Sequence, residues 1–536
     1  MGSSGFTRIL HDLGVRQMSR FVACVLMGLM AVSASSVQAD QYVVKLDPDL
    51  EAKPRDGRVI LFFITETGRL WDRREPMNAP FYSSPQPVAS IAVEQFGPGD
   101  SVIIDDSVFV FPRPLREMDG RARVQAVFDH DETERSHEDG PGNVFSDVLT
   151  VELSPEREDR FELTLSNVIN GPSLPEEREN LKWIELRSEL LSEFYGRDVY
   201  HRAGVALPPG YDDEERTDVL WPALYVIPGF GGRHEMARQY ATTYGSRAAA
   251  AIVPLFVTIV LDPESPLGHH GFVDSENHGP RGTALVEEFI PHLESEFRLV
   301  SETEARVVTG HSSGGWSSLW LQLNWPEVFG ACWSSAPDPI DFSAFQKTNL
   351  YEDESMYVMP NGEETPSYRM RTREGKEVIA MTVRQEVLVE YAMHPDGGSG
   401  QQWDTWMAMF SPRDPETGYP KRMFDPKTGR INREIVEHWK QFDITRLVRE
   451  NWEQYGPIVS ERVRLVCGAR DCYYLNRAVD RFAAMIEEHQ EGERRPGYVH
   501  MHPWANHNNI VDLMARRWYP EQREYLKRHG LDRSGR

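Results

Sequence analysis

Apolar and polar positions follow two different rhythms along the 536-residue chain. From residue 41 to about 170 the apolar residues come in short runs. These are RVILFFI (58–64), VASIAV (88–93), SVIID (101–105), RVQAVF (123–128), DVLTVEL (147–153) and FELTLSNV (161–168). Turn signals such as GPGD (97–100) and DGPG (139–142) separate them, and no long run of helical period intervenes. Many short strands at close spacing predict an all-β, sandwich-like domain over 40–170. Residues 171–181, rich in Pro and Glu, read as a linker.

From residue 182 to 536 the second rhythm takes over. Buried-strand runs LYVIP (224–228), LFVTIVL (255–261), ARVVTG (305–310), ACWSSA (331–336) and RVRLVCG (462–468) alternate with helical stretches. Over 283–297, Leu285, Phe289, Leu293 and Phe297 recur every four residues and make one apolar face. A second helix is predicted over 314–323. Apolar strands alternating with helices predict an α/β domain with a doubly wound, mainly parallel sheet. Over 343–460 this rhythm breaks into a hairpin-like stretch (357–372), a Gly-rich loop (396–403) and a helix near 432–454. That is far beyond a connection, where roughly 12–15 structureless residues are already unusual. The stretch is predicted to be an inserted cap, with the glycines of 396–400 as a hinge.

Residues 21–32, FVACVLMGLMAV, follow Arg20 and lead into small residues at Val37 and Ala39. A basic start, a short apolar run and a small-residue site predict a secretory signal over 1–39, cleaved after Ala39. The run is shorter than the roughly 20 residues of a membrane span. The expectation is an exported chain, periplasmic or extracellular, with no transmembrane segment after signal removal. Three cysteines then remain, Cys332, Cys467 and Cys472, an odd number that leaves at least one thiol without an internal partner. Cys332 and Cys467 sit in apolar runs and are expected to be buried thiols.

Charge removes one class of partner. There are 83 Asp and Glu against 58 Lys and Arg, a net charge of −25. Phosphate backbones need basic surface, so no nucleic acid is expected.

The chemistry concentrates in a few loops. Gly310-His311-Ser312-Ser313-Gly314 follows an apolar strand and opens a helix. This is the strand–turn–helix setting that exposes a nucleophilic serine. A serine hydroxyl needs a base, and the base an orienting acid. Asp471 lies just past RVRLVCG, at a strand's C-terminal end, and is preferred as the acid over Asp480, nine residues on in a predicted helix. His500, His502 and His507 are candidate bases. His507, in the loop before the terminal helix, is preferred because a loop reaches over the sheet edge. His500 and His502 alternate along one strand without a partnering carboxylate–histidine motif, so no metal and no cofactor are expected. For the oxyanion, one donor is the N–H of Ser313. The other comes from the loop Gly229-Phe230-Gly231-Gly232, with Phe230 ahead of Gly231.

Residues from about 195 to 536 resemble the putative-esterase branch of the α/β-hydrolases. The matching features are GVALPPGYD (204–212), VIPGFGG (226–232), the stretch 274–299, GHSSGG (310–315), SSAPDPIDF (334–342), CGARDCYYLNRAV (467–479) and the closing histidine loop. The branch includes enterochelin esterase, S-formylglutathione hydrolase and feruloyl esterases. The resemblance implies an α/β-hydrolase fold and Ser312, Asp471 and His507 as a triad. The insertion at 343–460 is larger than the branch's usual connection, and the β-rich region resembles the non-catalytic domains some of these esterases carry.

These features predict a serine esterase acting on a small-molecule or glycan-linked ester. The competing expectation is a surface glycan-binding protein with a hydrolase-like domain that does not turn over. Aromatic residues of the insertion, Tyr351, Tyr357, Trp403 and Trp406, are expected either to line a pocket or to form the cap's own core.

Overall fold

A computed structural model describes residues 40–66, 71, 74–78, 85–489 and 495–534. The expected signal and its cleavage point after Ala39 lie outside the described residues. The short N-terminal runs form nine strands. Hydrogen bonds link eight in the order Ser101–Ile104, Gln41–Leu46, Arg160–Val168, Val144–Ser146, Gly120–Asp129, Arg55–Thr65, Val88–Phe96 and Val110–Phe111. The ninth, Leu149–Leu153, also pairs with Gly120–Asp129. This is one continuous sheet, where a sandwich-like domain suggested two facing ones. The sequence shows short apolar runs but not which strands share hydrogen bonds. Tyr42, Val44, Leu46, Val59, Leu61, Phe63, Val124 and Leu165 project into one core on its inner face. Residues of the opposite parity, Ile60, Phe62 and Val127, are also buried, against Val389, Ala392 and Met393 of the insertion.

The second sheet has eight strands. Its order is Leu181–Arg187, Tyr200–Ala206, Val257–Leu261, Ala223–Ile227, Arg306–His311, Ala331–Ser335, Val463–Gly468 and Tyr498–His502. The first two pairings are antiparallel and the other five parallel. It begins at Leu181, the last residue of the expected linker. The predicted helix over 283–297 appears as a helical stretch over 281–296 with one π turn at Leu285–Phe289.

Between Ala331–Ser335 and Val463–Gly468 the chain forms a hairpin, Pro366–Arg371 with Glu377–Thr382, and five short helices. The hairpin lies further along than expected, and the helix near 432–454 is broken. Asp443, extended at φ −74° and ψ 101°, caps a new helix at Ile444–Glu450, and Asn451 interrupts it again. The helices Val383–Met393 and Gln402–Phe410 have no counterpart in the sequence pattern, because both are buried over most of their surface and show little periodicity. Phe342, Phe345, Trp403, Trp406, Phe410 and Trp439 belong to the same core as the second sheet.

Candidate active site

Ser312 sits between the strand Arg306–His311 and the helix Ser313–Asn324, at φ 60° and ψ −125°. A non-glycine residue is strained in this left-handed region. The flanking glycines make the turn possible. A Cβ at Gly310 would lie 2.0 Å from the Gly314 carbonyl oxygen, and one at Gly314 2.0 Å from that of Ile227. Ser312 N–H donates to the Ser335 carbonyl at 3.1 Å, which ties the turn to the neighbouring strand.

Two further loops meet it. After Val463–Gly468 the chain turns sharply, and Ala469 and Arg470 donate their N–H groups to the carbonyls of His502 and Ala505. These bonds lock the loop of Asp471 to the loop of His507. Asp471 is fully buried. Its Oδ1 accepts from the N–H groups of Tyr473 at 2.9 Å and Leu475 at 3.3 Å, and its Oδ2 lies 2.8 Å from His507 Nδ1. Donation from Nδ1 leaves His507 Nε2 as the acceptor nitrogen. The His507 ring lies between His311 and Tyr473, with centroids 4.5 and 4.9 Å away. Burial, and the His507 ring beside it, push the His311 pKa down to about 3, and its Nδ1 lies 2.9 Å from Ser335 Oγ. A neutral imidazole therefore abuts His507.

Ser312 and His507 line one cavity of about 640 Å³, together with Gly229, Phe230, Gly231 and Gly232. Gly231 N–H donates to Glu264 Oε1 at 3.2 Å. Ser313, as the first helical residue, has an N–H without an intrahelical acceptor. Of the other candidates, Asp480 is exposed on the helix Asn476–His489. His502 Nδ1 accepts from Ala505 N–H at 3.1 Å, and neither His500 nor His502 reaches the cavity.

The sequence did not single out Asp338, Glu386 or Arg135, all of which line the cavity. Asp338 is buried, accepts from Ser313 Oγ at 2.7 Å and from Trp406 Nε1 at 2.8 Å, and burial raises its pKa. Glu386, also raised by burial, accepts from Trp403 Nε1 at 3.0 Å. Trp406 thus lines the cavity. Trp403 is buried in the core, and Tyr351 and Tyr357 donate their hydroxyls to Asp443 Oδ2 and the Pro426 carbonyl. The three described cysteines are free and buried. The loop expected to act as a hinge is braced, because Ser399 donates to Asp404 and Gly400 packs against Arg135.

Residues 200–418 match the family model described as "Putative esterase". This bears out the resemblance to the putative-esterase branch and its α/β-hydrolase fold. No curated protein matches the chain. Similar solved structures include a ferulic acid esterase at 12% identity, covering 64% of this chain and 97% of that one at a TM-score of 0.39. Another is a ferulic acid esterase of Anaeromyces mucronatus at 12% identity, with 64% and 92% covered at 0.30. A third is an S-formylglutathione hydrolase of Agrobacterium tumefaciens at 14%, with 66% and 95% covered at 0.35. Among the described residues no helix is long and apolar enough to cross a membrane.

Proposed function

We infer that this chain, with a putative-esterase domain at 200–418, is an exported serine esterase that hydrolyses a carboxylic ester through an acyl-enzyme. Ser312 Oγ attacks the ester carbonyl while His507 Nε2 takes its proton. The resulting imidazolium is stabilised by the Asp471 carboxylate at 2.8 Å. The N–H groups of Ser313 and Phe230 receive the negative charge of the tetrahedral oxygen. Gly231 is the weaker choice of donor, since its N–H is already engaged by Glu264. Collapse expels the alcohol, which takes the proton back from His507. Water activated by the same imidazole then attacks the acyl-enzyme and releases the acid. Export rests on the basic, apolar and small-residue pattern of 20–39.

The observation that carries this reading is the strained Ser312 turn sharing one cavity with His507, itself bonded to a buried carboxylate. A fluorophosphonate probe tests it: wild-type protein should be labelled covalently and Ser312→Ala should not. An unlabelled wild-type protein would return the glycan-binding alternative to first place.

A further inference from the structure

The loop 130–143 of the N-terminal sheet reaches the second sheet beside the cavity. Two adjacent residues of opposite charge, Glu134 and Arg135, grip two points of the loop that supplies the Phe230 N–H. Glu134 accepts from Arg233 Nη1 at 2.7 Å and from Arg202 Nη1 at 3.2 Å, holding the far end of that loop. Arg135 holds its middle: the guanidinium carbon lies 4.7 Å from the centroid of the Phe230 ring. Arg135 Nε donates to Glu264 Oε2 at 2.7 Å, and the other oxygen of Glu264 accepts from Gly231 N–H at 3.2 Å. The two side chains of the pair are only 17% and 5% exposed. On its other side the Arg135 stem abuts Gly400, where a Cβ would come within 2.6 Å of Arg135 Cγ.

These contacts have a mechanical consequence. The Phe230 ring is held under a guanidinium, the Gly231 N–H by a carboxylate, and the Gly229 carbonyl, in the same peptide as the Phe230 N–H, by Gly232 N–H at 2.9 Å, so the backbone at Phe230 is fixed from both sides. Its N–H direction is set without any contact from Arg135 to the reacting atoms. The carboxylate can play its part only while a cation sits beside it, since an unpaired buried charge is strongly unfavourable.

We propose that the N-terminal β-rich domain completes the active site, and that its Arg135 is a positioning residue that orients the Phe230 N–H through Phe230 and Glu264. The proposal rests on the serine-esterase reading above. It makes the first domain part of the catalytic unit and not an independent module.

The experiment compares steady-state kinetics of the full-length protein and its variants on a small activated ester, after circular dichroism shows that each variant is folded. Arg135→Ala should lower kcat about tenfold to a hundredfold, the scale set by sub-ångström misplacement of a catalytic group, with KM changed less than about threefold. Arg135→Lys should recover part of the loss, because it restores a charge for Glu264 but not the planar contact with Phe230. Glu264→Gln should also lower kcat, and the double variant Arg135→Ala/Glu264→Gln should be little worse than Arg135→Ala alone, since the pair acts as a unit. A folded Arg135→Ala protein with wild-type kcat overturns the proposal. So does a rise in KM at constant kcat, which would make Arg135 a substrate contact. If Arg135→Ala does not fold, Phe230→Leu reads the same contact: a fall in kcat supports the proposal and an unchanged kcat overturns it. Wild-type protein that neither labels at Ser312 nor turns over esters overturns both readings, whereas a labelled, active wild type with an indifferent Arg135→Ala overturns this one alone.

Discussion

The loops around Ser312 and the insertion at 343–460 both bury ionisable groups, but in different proportions. In the sheet-end loops, beside the carboxylates Asp471, Asp338 and Glu264, histidines prevail. Burial holds His269 at about 4 and His311 at about 3, and His270 and His278 well below the ordinary range. In the insertion carboxylates prevail, with His394 the exception. Burial pushes Asp443 up to about 6 and raises Glu386 and Glu390. The difference follows from what each region must connect. The loops at the strand ends hang from a continuous hydrogen-bonded sheet and add neutral histidine links to charged pairs such as Arg135 with Glu264. His269 supplies one, with Nε2 2.9 Å from the Pro228 carbonyl and Nδ1 accepting from Gly271 N–H. The insertion is built of short helices whose first N–H groups have no sheet to satisfy them. Glu390 accepts from the N–H groups of Trp403 and Asp404, and Asp443 from that of Arg446, so carboxyl groups cap the helices there.

The proposed triad stands on the sheet-end loops, while the insertion lends Glu386 and Trp406 to the cavity and is held by its own buried packing; variants in each region test the division. Ser312→Ala should cost up to ~10⁶ in kcat on an activated ester, and His507→Ala a similar factor. The double variant should be little worse, because the two residues work as one. A Ser312→Ala protein with near-wild-type turnover would move the chemistry elsewhere. Asp471→Asn should lose ~10⁴ in kcat while keeping its place in the fold. In the insertion, Trp439 is fully buried against Phe342, Phe345 and Phe410. Trp439→Ala should lower unfolding free energy by about 3–5 kcal/mol in urea titration. The folded fraction should still label with a fluorophosphonate, and loss of labelling in folded protein would erase the division.

pH sharpens the contrast further. A histidine whose pKa is lowered on folding takes up its proton first in the unfolded chain, so stability falls as pH drops below about 6.5. From pH 7 to pH 5, His269 alone should cost about 2 kcal/mol. A carboxylate raised on folding acts in the opposite sense: its contribution is present at low pH and is lost as pH rises through about 6. Over the same interval Asp443 should return about 1 kcal/mol. Urea titrations of His269→Asn and Asp443→Asn at the two pH values should change the pH slope in opposite directions; equal slopes would remove the distinction. The smallest effect is expected at His500→Ala and His502→Ala, which should each keep activity within about threefold of wild type.

How much of this was legible in the sequence depended on how local each constraint is. The Ser312 turn was readable because its backbone strain demands Gly310 and Gly314 within two residues on either side. Asp471 and His507 were readable from chain order and strand ends, and the two lie side by side. Asp338 carries no signal of its own within SSAPDPIDF, since its buried setting depends on Trp406, which is 68 residues away. Arg135 left no signal, because it acts through side chains of Phe230 and Glu264 in another domain. The hairpin was placed early because Pro360, Asn361 and Gly362 supply a turn signal. The chain does turn there, but only an isolated bridge, Val358 with Glu364, flanks it.

The covered outer face of the N-terminal sheet has a consequence in time. Ile60, Phe62 and Val127 are sealed by Val389, Ala392 and Met393, so two parts of one packed layer are separated by most of the chain's length. Whenever the first domain folds ahead of the insertion, that sheet waits for its lining until residues 389–393 dock. During the wait its inner face can pack on itself, but the part of its outer face under Val389, Ala392 and Met393 stays uncovered. A first domain folded ahead of the second therefore carries an exposed apolar patch, and its escape from aggregation is set by the docking of residues 389–393.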